Sequence, residues 1–344
     1  MTYEPNLYIC REGNSMQFRF FQQPKDKSHW KLLQDIRKAE PNIDKDIKHS
    51  LELIEGEYND VNALWDKFEG TITVLKGLVT YRPLFERSFY VAMQELYDDN
   101  VMLMELCSSM SALYEIDGSL HDVVSVTKIY KAVSDRFVHD HPGFLGAKVI
   151  FASYRKVSPQ TFNNYVETFR KMKAAYPDFI IGFDLVGQED LGHPLLNFAD
   201  KLQEFGKETL FFFHAGETNW YGHATNENLY DAVLLNTKRI GHGFALLKHP
   251  KLMELVMQKK IAIELNLISN QVLELVKDMR NHPASYFFAK NFPVVVSNDD
   301  PNFWGSQGLS YDFYEAFVGI MSRDADLKAL KQLAMNSITY SGLN

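Results

Sequence analysis

The sequence predicts an α/β fold in the form of a (β/α)8 barrel that runs from about Asn100 onward. Short, continuously apolar segments alternate with longer amphipathic ones, which indicates a parallel sheet covered by helices on both faces. Several apolar segments also end in His or Asp, and catalytic groups of such barrels lie at the carboxyl ends of their strands. A doubly wound sheet is the competing fold, but Gly182–Gly187 lacks the spacing of its phosphate-binding turn.

The expected elements follow in order along the chain. Over 1–99 we expect mainly helices, at Ser28–Ala39, Ile43–Tyr58 and Tyr81–Asp98, with an extended segment at Gln17–Phe21. Over 100–344 we expect seven βα units, with strands at Val101–Cys107, Ala147–Ala152, Phe179–Leu185, Thr209–His214, Arg239–Gly241, Ile261–Leu265 and Val294–Ser297. The intervening helices include Pro159–Ala175, Leu195–Phe205, Glu227–Leu235, His249–Gln258 and Gln271–Asn281. We interpret 1–344 as one barrel domain. Because closure needs eight strands, either one strand escapes this pattern or the first strand lies upstream of Met1.

Composition excludes several classes of function. The net charge of −8 argues against non-specific nucleic-acid binding, which needs a basic surface. The sequence has no run of about 18 apolar residues, so we expect no membrane span. The first residues have neither a basic stretch nor an apolar run, so no signal peptide is visible. Cys10 and Cys107 are too few for a disulfide framework, and we expect two unpaired thiols.

The strongest chemical signal is the segment Phe211–Glu217, with the sequence Phe-Phe-Phe-His-Ala-Gly-Glu. The aromatic strand carries His214 at its tip, and the glycine turn brings Glu217 back over the same point. A metal-bound imidazole beside a carboxylate can activate water and move its proton. For an isolated pair, a buried histidine followed by an acidic helix start is the more frequent explanation.

Two later strand ends strengthen this signal. His242 lies between two glycines, which leave room for a ligand, although a tight turn explains it equally well when it is taken alone. Asp299 and Asp300 follow the last strand, where a buried carboxylate needs a partner or a metal. An Asp before proline also begins many turns. Because His214, Glu217, His242 and Asp299 fall at the ends of three strands, coincidence is the poorer explanation.

Together these motifs resemble the adenosine and AMP deaminase superfamily, through His-Ala-Gly-Glu, Ile-Gly-His-Gly and Ser-x-Asp-Asp-Pro. Longer segments resemble its secreted branch, the adenosine deaminase-related growth factors, from about Tyr3 to the end of the chain: Met16–Phe20, Phe183–Gly187, Asn236–Ala245, Ile268–Gln271, Gly308–Phe313 and Phe317–Gly319. The resemblance implies an extracellular homodimer that binds one Zn²⁺ per subunit and hydrolyses adenosine or 2′-deoxyadenosine to inosine or 2′-deoxyinosine and ammonia. It also raises a cell-surface receptor as a partner.

The resemblance implies a role for each matching residue. His214 and Asp299 are implied as two zinc ligands, and Glu217 as the acid that protonates the purine ring when water activated by zinc adds to C6. His242 is implied to orient or deprotonate that water. The implied substrate contacts are Asp300, Gly187, Trp65, Glu69 and Asp184, and Trp65 and Glu69 match residues near the ribose pocket.

The sequence departs from the family pattern in three respects. The family's zinc-ligating His-x-His on the first strand is absent, and His139–His141 lies instead in a loop before the third barrel strand. Tyr154 and Gln188 stand where the family often has histidines near the substrate, and Lys27 stands where the disulfide partner of Cys10 is expected. We therefore expect an N-terminally incomplete chain that binds zinc weakly, because catalytic zinc sites have at least three protein ligands. By itself it should not turn over adenosine.

Two other functions stay open at this stage. A non-catalytic purine-binding or growth-factor-like signalling protein would not need the missing ligands. AMP deamination would need extra cationic residues for the phosphate, and none cluster near Trp65 or Asp184.

Overall fold

The computed structural model describes residues 6–12, 15–53, 58 and 60–343. At its centre are two four-stranded parallel sheets, with the strand orders β4-β5-β6-β7 and β11-β10-β9-β8. These strands are β4 (Met104–Ser108), β5 (Ala147–Tyr154), β6 (Ile180–Val186), β7 (Leu210–Phe211), β8 (His214–Ala215), β9 (Arg239–His242), β10 (Ala262–Leu265) and β11 (Val294–Val296). The N–H of Phe212 donates to the carbonyl of Phe183 on β6 at 3.1 Å, and the N–H of Gly241 on β9 donates to the carbonyl of Phe213 at 2.9 Å. β7 and β8 are therefore the halves of one interrupted strand that joins the two sheets.

The two joined sheets form one curved wall of strands, which is the expected barrel open on one side. All seven expected strands are present, and Thr209–His214 corresponds to the pair β7 and β8. β4 and β11 are the edges, and within the described ranges no strand pairs with their outer sides. Inside the wall, the guanidinium of Arg239 contacts the carboxylates of Glu105 and Glu264 at 2.9 Å each, which ties β9 to β4 and β10. The chain after the last helix also closes this end, because the N–H of Gly342 donates to Glu105 at 2.5 Å.

Helices cover the outside of the wall and follow from the sequence pattern. They are α5 (Val123–Asp140), α6 (Pro159–Ala175), α7 (Ala199–Phe205), α8 (Asn228–Leu234), α9 (Pro250–Lys259), α10 (Leu267–Val272), α11 (Ala284–Ala289), α12 (Ser310–Tyr314) and α13 (Leu327–Thr339). In α6, Ser158 caps the first turn by accepting the N–H of Thr161, and Pro159 occupies the first helical position. Apolar residues spaced by three or four then turn to the sheet: Phe162, Val166, Phe169 and Met172, all fully buried.

The first hundred residues form a separate layer that differs from expectation. Three short antiparallel strands are present, β1 (Leu7–Glu12), β2 (Ser15–Phe20) and β3 (Lys31–Leu32), where we expected only one extended segment. Four helices follow: α1 (Leu33–Ala39), α2 (Ile43–Leu51), α3 (Val61–Val79) and α4 (Arg82–Asp98). α1 starts five residues later than predicted, because Lys31 and Leu32 pair with β1 instead.

Three other helices differ from the prediction. α2 ends at Leu51, and part of its predicted continuation to Tyr58 lies outside the described residues. α3 was not expected at all, although Asp60 caps it and the buried residues of its inner face recur every three or four positions. The predicted helix Gln271–Asn281 is wrong, because α10 begins at Leu267 and ends at Val272, and Glu274 adopts a left-handed conformation. No helix in the described part of the chain is long and apolar enough to cross a membrane.

Candidate active site

Four strand ends bring the predicted polar residues to one point at the carboxyl edge of the wall. β6 contributes Asp184, β8 His214, β9 His242, and the turn after β11 Asp299. The rings of His214 and His242 are tilted against each other with their centroids 4.9 Å apart. Among the described residues, ligand atoms of His214, His242 and Asp299 lie within 4.8 Å of one another and could hold a metal ion.

Asp184 fixes the orientation and the tautomer of His214. Its Oδ2 lies 2.5 Å from Nδ1 of His214, and its Oδ1 accepts the backbone N–H groups of His214 and Leu185. The carboxylate has no donor of its own, so Nδ1 carries a proton, and Nε2 is the nitrogen from which a metal ion would displace a second proton. Burial by itself lowers the pKa of an imidazole, but the charge and hydrogen bond of Asp184 raise the pKa of His214 to about 10. This carboxylate–imidazole pairing is the usual support of a metal-ligating histidine.

Glu217 lies in a turn that is held by a second buried carboxylate. Oε1 of Glu189 accepts the N–H of Gly216 at 3.0 Å, and Oε2 accepts the N–H of Glu217 at 2.7 Å. Arg155, which is 1% exposed, donates to the carbonyl of His214 at 2.8 Å. Burial raises the pKa of Glu217 well above its ordinary value, and the neighbouring charges of Asp299 and Glu189 act in the same direction. A carboxyl that stays protonated at neutral pH can serve as a general acid.

His242 is buried between Glu217 and Asp299, and each of its ring nitrogens lies close to polar side chains. Its Nδ1 lies 3.0 Å from Nδ2 of Asn270 and 3.4 Å from Oε1 of Glu217. Its Nε2 lies 3.0 Å from Nδ2 of Asn266 and 3.7 Å from Oδ2 of Asp299. Burial lowers the pKa of His242 well below its ordinary value, so the ring is neutral at pH 7.

The backbone at two of these positions has an unusual conformation. His242 has φ of 62° and Asp299 has φ of 53°, in the left-handed region that residues with a Cβ seldom adopt. Such conformations persist where surrounding contacts impose them, and they concentrate at functional sites. Asp300, the next residue, is exposed at the same edge.

The three remaining predicted residues lie around the helix α3, which passes over this edge. Glu69 accepts a hydrogen bond from the hydroxyl of Tyr154 at the end of β5. Gly187 has φ of 96°, and a Cβ there would lie 2.3 Å from the ring of Tyr154. Trp65 is buried in an apolar cluster with Leu273 and the aromatic side chains that follow Asp300. Asn62 of α3 also accepts a 2.7 Å hydrogen bond from Gln188.

Comparison with known proteins shows the origin of this arrangement. The sequence pattern of the adenosine deaminase family matches residues 45–344. The chain belongs to the adenosine deaminase family. It is 41% identical to an adenosine deaminase of Aedes albopictus, covering 100% of this chain and 66% of the relative. It is 42% identical to human adenosine deaminase 2, covering 100% and 70%. The chain thus spans about two thirds of the length of these relatives.

The fold agrees with this membership. A zinc-bound amidohydrolase from Burkholderia ambifaria superposes with a TM-score of 0.66 at 19% identity, covering 87% of this chain and 82% of that one. Members of the adenosine deaminase family are hydrolases, and the predicted family, barrel class and enzyme class are confirmed.

Several residues of the site were missed from the sequence. Arg155, Glu189, Asn266, Asn270 and His282 are all at most 1% exposed and contact the predicted residues or one another. Only one of them had a usable signal: a Glu two residues after Gly187, at the end of a predicted barrel strand, resembles the other strand-end acids. Asn270 lies in Ile268–Gln271, a segment that carries the family resemblance but has no chemical signal of its own.

Proposed function

We propose that this protein catalyses the zinc-dependent hydrolytic deamination of adenosine or 2′-deoxyadenosine to the corresponding inosine and ammonia. One observation carries the proposal. A buried Glu217 with a raised pKa lies beside a neutral His242, and ligand atoms of His242, His214 and Asp299 lie within 4.8 Å of one another. In a chain of the adenosine deaminase family, this combination supports nucleophilic addition of water to a purine with proton delivery to the ring.

The donor set fits part of a zinc site, since His214 and Asp299 are two of the at least three protein ligands that a catalytic zinc ion has. The hydrogen bond from Nδ1 of His214 to Asp184 leaves Nε2 as the ligand nitrogen, from which zinc would displace a proton, and ligand atoms of His214 and Asp299 lie within 4.8 Å of each other. His214 and Asp299 would hold the ion, which when bound acts as a Lewis acid that makes water a better nucleophile. Asp184 keeps the metal-binding tautomer of His214, and Glu189 with Arg155 holds the turn that presents Glu217.

The remaining residues of the site act on the organic substrate. The protonated Glu217 donates a proton to a purine ring nitrogen, which makes the neighbouring carbon more electrophilic. Asp300 at the exposed rim can hydrogen-bond the purine edge, and the Gly187 backbone is close to the same edge of the wall. Trp65 and Glu69 are the residues of α3 that we assign to the ribose end.

An ammonia-release assay tests the proposal. We expect little release from residues 1–344 alone, and zinc-dependent release from adenosine where a further protein ligand completes the site with His214 and Asp299. In that complete site Glu217→Gln should lower kcat at least ~100-fold, because a positioned general acid contributes about that much. Asp190→Asn is a suitable control, since Asp190 is a neighbouring half-buried acid that binds the Thr218 hydroxyl. Zinc-independent purine binding without any ammonia release would instead support a non-catalytic signalling protein.

The sequence resemblance to the secreted deaminases also supports an extracellular homodimer, to which a cell-surface receptor could bind. Light scattering on the purified protein and its detection in culture medium test these two points. A monomer at micromolar concentration, or a protein retained inside the cell, would count against them.

A further inference from the structure

The buried side chains of His282, Asn270 and His242 form a hydrogen-bonded relay that begins at a backbone N–H of α11. The N–H of Ala284 lies 3.0 Å from Nδ1 of His282 and donates to it. Nε2 of His282 lies 3.0 Å from Oδ1 of Asn270, and Nδ2 of Asn270 lies 3.0 Å from Nδ1 of His242. We propose that His282 and Asn270 are positioning residues that fix the tautomer of His242, with its proton on Nε2.

The backbone N–H of Ala284 is the one group among these hydrogen-bonded groups whose role as donor is fixed. A backbone N–H is always a donor, so Nδ1 of His282 must be the acceptor and Nε2 must carry the proton. The Nε2–H of His282 then needs an acceptor, which is the carbonyl oxygen of Asn270. The amide nitrogen of Asn270 therefore faces His242 and donates to Nδ1, so the proton of neutral His242 resides on Nε2.

The opposite assignment places two donors against each other. If Nδ1 of His242 carried the proton, the Asn270 amide would have to turn over and donate to Nε2 of His282. Nδ1 of His282 would then be protonated and would face the Ala284 N–H at 3.0 Å. Burial lowers the pKa of His282 to about 4, so the ring is not doubly protonated at neutral pH either.

The assigned tautomer also has an effect on Asn266. Nδ2 of Asn266 is placed 3.0 Å from Nε2 of His242, and Oδ1 of Asn266 is buried without a partner. Turning this amide by 180° brings Oδ1 to the Nε2–H and removes the conflict. Amide orientations are assigned from hydrogen-bond networks, whereas the direction of a backbone N–H is fixed. The conflict is therefore resolved at Asn266 and not at Ala284.

His214 and His242 therefore have different roles. With Nε2 protonated, His242 is not a metal ligand through that nitrogen, although its atoms fall within the cluster with His214 and Asp299. Its Nε2–H faces Asn266 and Asp299, and its Nδ1, which accepts from Asn270, lies 3.4 Å from Oε1 of Glu217. The catalytic meaning of this relay rests on the proposed deaminase function, but its geometry does not.

The test is the ¹⁵N spectrum of the histidine side chains at pH 7 in the metal-free full chain, which contains 11 histidines. Protonated and unprotonated imidazole nitrogens are resolved there, and His242 is assigned by loss of its signals in His242→Gln. We expect Nδ1 of His242 to be unprotonated in the wild type. In Asn270→Asp, both side-chain oxygens are acceptors, so Nδ1 should gain a proton.

Two further variants keep the test decisive if Asn270→Asp does not fold. His282→Gln removes the fixed acceptor and should produce a mixture of His242 tautomers. His249→Gln is the matched control, because His249 is also buried but has Nε2 without a partner in the described structure. It should leave the His242 signals in place. A wild-type His242 protonated on Nδ1, or a spectrum unchanged by both relay variants, would overturn the inference.

A kinetic measurement separates this inference from the proposed function. If the protein releases ammonia from adenosine, Asn270→Asp should lower kcat about 10–100-fold with little change in KM, as for other partners that orient a site histidine. If it releases none, the ¹⁵N result still decides whether the relay exists.

Discussion

Asp312→Asn should stabilise the folded chain at pH 8 much more than at pH 5. Asp312 lies in α12 and is 1% exposed. Its Oδ1 accepts the N–H of Ile268 at 3.2 Å, whereas Oδ2 is buried without a hydrogen-bond partner among the described residues. Burial, followed by the charges of Asp299 and Glu315, raises the pKa of Asp312 to about 7. Asparagine keeps an acceptor for Ile268 and removes the charge.

The magnitude follows from the displacement of the pKa. In the unfolded chain the carboxyl ionises near 3.8 and in the folded chain near 7, and each pKa unit corresponds to ~1.4 kcal/mol. The unfolded state loses its proton first, so the wild type loses stability as pH rises from about 4 to 7. The loss approaches ~4 kcal/mol at pH 8 and is ~3 kcal/mol smaller at pH 5. The O–H of a neutral Asp312 and the N–H of an asparagine at this position would both face surroundings without a hydrogen-bond partner. Other differences in stability between the two proteins therefore largely cancel.

Urea unfolding of both proteins at pH 5 and pH 8, with a chelator present, measures the two free energies of unfolding. The control is Asp278→Asn. Asp278 is an exposed carboxylate whose pKa is lowered to about 2 by Arg280, so its replacement should bring no gain at pH 8. An equal gain for Asp312→Asn at both pH values, or a larger one at pH 5, would refute the reasoning.

Two further predictions concern the packing of α3 and the metal ligand. Gly77→Ala should destabilise the fold by about 1–3 kcal/mol or more, because its Cβ would lie 1.6 Å from the carbonyl oxygen of Phe18. Gly70→Ala in the same helix meets nothing within 4 Å and should stabilise by ~0.5–1 kcal/mol; equal unfolding midpoints for the two variants would contradict this packing. Asp184→Asn turns an amide N–H₂ toward Nδ1 of His214, so the proton moves to Nε2 and zinc affinity should fall ~10–100-fold by calorimetric titration. Unchanged affinity would show that this tautomer does not matter.

The barrel wall was predictable because each strand is a short apolar run with a polar residue at its end. The periodicity carries this information locally, so the strand bounds agree with the structure to within three residues. α3 was missed although its buried positions recur regularly and Asp60 caps it, because Gly70 and Gly77 lie inside it and isolated glycines weaken a helix pattern. The three-stranded sheet β1–β3 depends on pairing between distant segments, such as Ile9 with Lys31, which no local pattern contains.

The site was predictable in part for the same reason. His214, His242 and Asp299 end strands, and strand ends of a parallel wall meet at one edge. The partners that decide their chemistry come from other positions. Glu189 binds the Glu217 turn from 28 residues away, and His282 reaches the site only through another side chain. Residue type and strand order do not predict which distant side chains contact the site residues in this way.

The two site histidines show most clearly what the additional contacts contribute. His214 and His242 have the same side chain at the tips of adjacent strands, yet their neighbours hold a proton on opposite ring nitrogens, Nδ1 in His214 and Nε2 in His242. A carboxylate, Asp184, accepts from Nδ1 of His214 and leaves Nε2 free, whereas an amide, Asn270, donates to Nδ1 of His242 and leaves the proton on Nε2. One ring is thereby suited to bind a metal, and the other to donate a hydrogen bond.

Asp184→Asn and Asn270→Asp are reciprocal substitutions, since each exchanges a carboxylate and an amide beside Nδ1 of a histidine. The first should give His214 the tautomer of His242, and the second should put a proton on Nδ1 of His242, as in His214. The double variant keeps the composition and the summed charge of the site while exchanging the two proton positions. If the partners alone set the tautomers, its ¹⁵N spectrum should show both rings changed, each as in its single variant. A double variant in which either ring reverts would show that the two histidines control each other's protonation across their 4.9 Å contact.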